Sequence, residues 1–131
     1  MEFNKYELEV LSEGSEDWIG LYEVLWSYRV QCPNSNDKER VGHGKKALRR
    51  LYKDGLTVFH IRKWGEDGPD DDSLREMEPE EVEELFKEEE RWFKSWSESD
   101  ALPVTFTNTE KGDKVYFSLT TEEYERIMGA E

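Results

Sequence analysis

Side chains suited to catalysis are few: the histidines are His43 and His60, and Cys32 is the single cysteine. One cysteine can neither close an internal disulfide nor build a cysteine-based zinc site. No Ser-His-Asp or Cys-His relay is legible, and His60 lies in an apolar run where a structural or surface role is the simpler expectation. Gly42-His43-Gly44-Lys45-Lys46 has the glycines and cations of a phosphate-cradling loop. It lacks the upstream strand and the full Gly-x-x-x-x-Gly-Lys-Ser/Thr spacing, so a turn is expected. Asp70-Asp71-Asp72, with Glu76 and Glu78, offers the oxygens that a hard divalent cation prefers, but not in the order of a calcium loop, and reads as a solvated loop. The chain is therefore expected to be no enzyme, with no catalytic residue, metal or cofactor.

Charge is the stronger signal, and it is segregated. Acidic residues number 32 against 18 basic, a formal net charge of -14. Such a surface repels nucleic acid and anionic headgroups and attracts basic partners. Yet Lys38, Arg40, Lys45, Lys46, Arg49, Arg50 and Lys53 crowd into one short segment opposed only by Glu39, which sums to +6 and leaves -20 for the remainder. Two candidate binding sets follow. Lys45, Lys46, Arg49, Arg50 and Lys53 lie close together on a helix and are the candidates for contacts to phosphates. Asp70, Asp71, Asp72, Glu76, Glu80, Glu81, Glu83, Glu84 and Glu88, with Trp64 as an anchor, are the candidates for contacts to a basic protein. The same carboxylates could instead serve solubility alone.

The elements that must position these sets can be read from periodicity. Tyr6, Leu8 and Val10 alternate with Glu7 and Glu9, which predicts a strand over Phe3 to Leu11 with a helix as the alternative. Trp18, Leu21, Tyr22, Leu25 and Trp26 recur at helical spacing, predicting a helix from Asp17 to Val30 that is the core's main aromatic donor. Gly42 and Gly44 are expected to divide the basic segment into a short helix, a turn and a longer helix, as in helix-turn-helix units. Ala47, Leu48, Leu51 and Tyr52 form its buried stripe, Gly55 ends it, and a strand follows from Leu56 to Ile61. The run from Gly65 to Ser73 reads as an exposed loop. Pro79 opens a helix whose apolar stripe is Val82, Leu85, Phe86, Trp92, Phe93 and Trp96. Two strands, Pro103 to Thr107 and Lys114 to Leu119, are expected to form a terminal hairpin around Lys111-Gly112-Asp113, with the second pairing the strand at Leu56. Thr120 and Glu123 have capping-box spacing for a last helix from Thr121 to Met128.

With 131 residues the chain fits one domain, 1–131. There is no apolar run long enough to span a bilayer and no export signal, so a cytoplasmic protein without membrane contact is expected. The expected fold is α+β: a winged-helix-like core with an acidic helical insertion, about residues 65–100, between the wing strands.

From Ala47 to Trp64, and again at Val115-Tyr116-Phe117-Ser118, the chain resembles small acidic bacterial winged-helix-like proteins of the toxin-immunity class. Asp-Gly-Leu, a strand, a Trp, a Pro-Glu-Glu helix start and a Tyr-Phe-Ser strand occur in that order. The resemblance extends loosely from Trp18 to Met128 and its motifs are those of a fold. It implies an intracellular protein that binds and neutralises a toxin domain delivered by neighbouring bacteria. Physical argument adds that a nuclease toxin, with its basic cleft, would suit an acidic inhibitor. The basic helix departs from that pattern and leaves a winged-helix DNA-binding regulator as the alternative.

Overall fold

In the computed structural model, which describes residues Glu2 to Gly129, the elements run in the order α1 (Lys5–Glu16), β1 (Ile19–Gly20), α2 (Leu21–Gln31), α3 (Asp37–Lys53), β2 (Thr57–Gly65) and β3 (Gly68–Glu76). Then come α4 (Pro79–Leu85), α5 (Glu90–Phe93), a 3-10 turn (Trp96–Glu98), β4 (Val104–Asn108), α6 (Glu110–Phe117) and α7 (Thr121–Met128). The fold is α+β, with a four-stranded antiparallel sheet in the order β1-β4-β2-β3. Phe59 of β2 lies opposite Phe106 of β4, both fully buried, so the central strand pair carries the core.

The N-terminal segment is a helix rather than a strand. Asn4 accepts from the Glu7 amide while the Glu7 carboxylate accepts from the Asn4 amide, a reciprocal cap that satisfies two otherwise orphaned donors. Leu8 and Leu11 then point inward three residues apart. Gly14 lets the helix lie against β4: a Cβ there would stand 2.5 Å from Asn108 Oδ1. Asn108 fastens the contact by donating from Nδ2 to the Leu11 carbonyl at 2.9 Å.

Helix α3 runs unbroken through Gly42 and Gly44, so the expected turn at Gly42-His43-Gly44-Lys45-Lys46 does not exist. Gly44 is there for close packing, since a Cβ would come within 3.0 Å of Val24 Cγ1 on α2. Leu48 and Leu51 are fully buried, Ala47 is buried and Tyr52 half-buried, as their spacing predicts. Gly55 takes the left-handed conformation at φ 75°, and the Leu56 amide donates back to the Leu51 carbonyl at 2.9 Å, which turns the helix straight into β2.

The acidic run at residues 65–73 is not a loop: it is the turn and most of β3, an edge strand hydrogen-bonded to β2 with Gly68 opposite Gly65. Its carboxylates suit an edge, where charge discourages pairing with another chain. Residues 114–117 are helical, so no strand near Val115 pairs with β2; β4 does so instead. Thr109 caps α6 by accepting from the Gly112 amide, and Gly112 packs so tightly on the backbone before β2 that a Cβ would lie 2.0 Å from the Leu56 carbonyl oxygen. The helix predicted from Pro79 stops at Leu85, and Trp92 folds back so that its indole Nε1 donates to the Leu85 carbonyl at 3.0 Å in the core. Trp18 and Trp26 remain 37% and 48% exposed; Phe3, Tyr28, Phe59, Phe86, Trp92 and Phe106 are buried instead. Most of the buried apolar side chains form one cluster.

Two glycines separate close packing from mere tolerance. Nothing would lie within 4 Å of a Cβ on exposed Gly42 in mid-helix. Gly42→Ala is expected to stabilise the protein by about 0.5–1 kcal/mol, whereas Gly112→Ala is expected to cost about 2 kcal/mol or more. Urea unfolding midpoints shifted in the same direction by both would contradict this account.

Candidate functional site

Three of the cations expected to meet phosphates are held by the chain itself. Arg50 Nη1 donates to Glu7 Oε1 at 2.7 Å, and its guanidinium lies over the Phe3 ring. Glu7 is 3% exposed, so this pair ties α1 to α3 from within the protein's surface. Lys45 Nζ donates to the Glu88 carbonyl at 2.7 Å, sits 3.7 Å from the Glu89 carboxylate and lies over the Trp92 ring. Arg49 stacks over Phe86 at 4.9 Å and meets Glu83 at 3.4 Å. Only Lys46 and Lys53 of this set stand exposed without an ion pair among the described residues.

The expected acidic contact set is likewise divided. Glu81 forms a two-pronged bond to Arg75 at 2.7 and 2.8 Å and accepts the Glu78 amide, which hold its carboxyl down at about 2. Glu83 meets Arg49, Glu84 meets Lys87 at 3.2 Å, Glu88 meets Arg91 at 2.8 Å and Asp71 meets Arg62 at 3.1 Å. Asp70, Asp72, Glu76 and Glu80 are exposed and unpaired among the described residues. Trp64 is 37% exposed and sits opposite Pro69, one position from Asp70 in the hairpin of β2 and β3. The pairing of β2 with β4 ends at Ile61, so residues 63–70 project as a two-stranded arm. That arm presents Trp64 with Glu66, Asp67 and Asp70 against one cation, Lys63.

Both imidazoles are stacked on aromatic rings, His43 on Tyr6 at 4.1 Å and His60 on Trp18 at 5.0 Å. Burial pushes the His60 pKa below its ordinary value, and its Nδ1 has no hydrogen-bond partner. Among the described residues no group of His, Cys, Asp and Glu is placed to hold a metal ion.

Comparison with known proteins finds no matching family model, curated protein or solved structure. The class resemblance therefore rests on motif order, and the Tyr-Phe-Ser member of that motif lies at the end of α6 rather than in a strand.

A third group of charges depends on the N-terminal segment being helical. Read as a helix, α1 places Glu9, Glu13 and Glu16 at i, i+4 and i+7 on one face, and that spacing was the available signal. Glu13 accepts a hydrogen bond from the Ser27 hydroxyl of α2. Burial, followed by repulsion from Glu9 and Glu23, drives its carboxyl up to about 8, and burial raises Glu9 as well. No cation answers this group among the described residues.

A pH dependence follows. The folded state holds the Glu13 proton from the ordinary 4.5 up to about 8, so the folded chain binds more protons than the unfolded chain in that window. Stability from this group is full below pH 4.5 and is lost as pH rises through 8. His60, with a lowered pKa, acts in the opposite direction, so the informative quantity is a difference between proteins. Glu13→Gln is expected to gain at least about 1 kcal/mol on wild type between pH 5 and pH 8.5. Parallel stability curves for the two proteins would contradict the assignment.

Proposed function

We propose that this chain is a non-catalytic immunity-type protein that binds and neutralises a basic toxin domain, a nuclease in the simplest case, inside the bacterial cytoplasm. One observation carries the reading: Lys45, Arg49 and Arg50, the cations a nucleic-acid binder would present, already lie against carboxylates or carbonyls of this chain. The projecting arm, which would approach phosphates beside the helix, is acidic. The remaining unpaired charge is therefore mostly negative and suits a basic surface, with complementarity favouring fast capture.

The order helix, short strand, two helices, hairpin supports a winged-helix-like core. In that description α3 is the helix before the wing, β2 and β3 are the arm, and the acidic segment carrying α4 and α5 is an insertion before β4 completes the sheet.

The test begins with the neighbouring reading frame, expected to encode a large secreted or surface protein with a toxic C-terminal domain. That domain, mixed with this protein, is expected to give a one-to-one complex whose association slows by about 10-fold or more from low to high salt. Reversal of Asp70, Asp72, Glu76 and Glu80 to lysine tests the expected contact set and should weaken protection of toxin-expressing cells. A neighbouring operon repressed by this protein, with a sequence-specific footprint on its promoter, would overturn the reading in favour of a DNA-binding regulator.

A further inference from the structure

Two depressions meet on the side of the molecule formed by the end of α1, β1 and the start of α2. One, of about 560 Å³, is lined by Trp18, Tyr22 and Trp96 with Asp17, Glu23 and Asp71 among its polar groups. The other, of about 420 Å³, is lined by Trp26 and Ile19 with Glu13, Glu16 and again Asp17 and Glu23. Asp17 and Glu23 are thus shared, so the two depressions adjoin across these carboxylates as a groove.

The rings here are not core rings left over. Tyr22 meets Trp26 edge-on at 4.9 Å and Trp96 at 5.7 Å, so the three rings fix one another across both depressions. Trp18 and Trp26 keep 37% and 48% of their surfaces exposed, a cost for a protein with no use for them. The carboxylates are equally unanswered: Glu16, Asp17 and Glu23 enter no ion pair among the described residues, while Glu13 beside them holds its proton up to about 8. Two are aimed by the backbone, Asp17 accepting the Trp18 amide at 2.7 Å and Glu23 the Gly20 amide at 2.5 Å. The groove already holds one guanidinium. Arg62, its side chain 12% exposed, lies 5.1 Å from the Trp18 ring centre and 3.1 Å from Asp71.

We propose that this groove is the docking surface for a basic segment of the partner protein, with an arginine side chain of that segment lying against Trp96 and Tyr22 and facing Asp17 and Glu23. The half-buried Trp96 and Tyr22 rings supply π-faces that attract a cation, Trp18 being already stacked on His60 and covered by Arg62, and carboxylates beside them supply the counter-charge and hydrogen-bond acceptors. Aromatic anchors of this kind dominate protein interfaces, whereas scattered surface carboxylates contribute little. The inference rests on the reading of this chain as a binder of a basic protein, and it moves the principal contact from the arm and α4 to this groove.

Nona-arginine is the probe, titrated into the isotopically labelled protein at about 0.1 M salt while the indole N–H resonances are followed. Saturable movement of the Trp18 and Trp96 resonances is expected, with affinity lowered about 10-fold in the Asp17→Asn, Glu23→Gln double variant. Both substitutions keep the oxygen that accepts the backbone amide, so the fold is preserved. Nona-lysine is expected to bind more weakly, because it lacks the planar group that stacks on a ring. If the Trp64 resonance moves instead and the double variant binds as tightly as wild type, the groove is refuted while a basic partner remains supported. If no resonance shows saturable movement, the groove and the basic-partner reading fall together.

Discussion

Helix α3 lies among carboxylates, and the arrangement of the other elements depends on how its side chains answer them. A chain with a net charge of -14 resists compaction through self-repulsion. Its basic segment supplies counter-charge to carboxylates of neighbouring elements. Arg50 reaches Glu7 on α1, Arg49 reaches Glu83 on α4, and Lys45 reaches the backbone and side chains at Glu88 and Glu89 ahead of α5. Each of these side chains also lies over an aromatic ring, of Phe3, Phe86 and Trp92 respectively, so stem and charge are used together. Exposed pairs such as Arg49 with Glu83 contribute on the order of 0–1 kcal/mol. The Arg50 pair differs, because Glu7 is buried and loss of its partner strands a charge.

Net stability comes from the apolar side of the same helix. Leu48 and Leu51 enter the cluster with Phe59, Phe106 and Trp92, and each large side chain buried there is worth about 1.5–3 kcal/mol. The ion pairs decide which element lies over which end of α3. That division of labour explains why the segment with the most cations also carries Val41, Ala47, Leu48 and Leu51 into the core, a combination that would be wasteful in a helix reserved for phosphates.

Legibility in the sequence followed the locality of the determinant. The end of α3 at Gly55, the proline start of α4, the cap at Thr120 and the strand after Leu56 are set by a few neighbouring residues, and all are present. The failures needed distant partners. Alternation over Tyr6 to Val10 looked like a strand because the decisive contacts are the Asn4–Glu7 cap and the Asn108 bond to Leu11, the second nearly a hundred residues away in sequence. Residues 114–117 carry strand-forming types, yet the cap at Thr109 and the contact of Gly112 with the Leu56 carbonyl favour a helix. Gly42 and Gly44 looked like breakers because the close approach of Val24 to Gly44 is a tertiary fact. The acidic and basic sets were visible as charge, but their mutual pairing was not, since nothing local links Arg49 to Glu83 or Arg75 to Glu81. The groove at Trp18 is obscured for the opposite reason: Trp18, Tyr22 and Trp26 have the helical spacing of a core stripe.

The functional account turns on α3's cations being counter-charges of this chain rather than ligands for a polyanion. The most direct measurement is a double-mutant cycle in urea unfolding with Glu7→Gln, Arg50→Gln and the pair, repeated at about 0.5 M salt. The account predicts a coupling of roughly 1–3 kcal/mol that survives the salt, as a pair with one buried member should. Additive effects, with Arg50→Gln near neutral alone, would mean that Arg50 is free for another ligand and would contradict it.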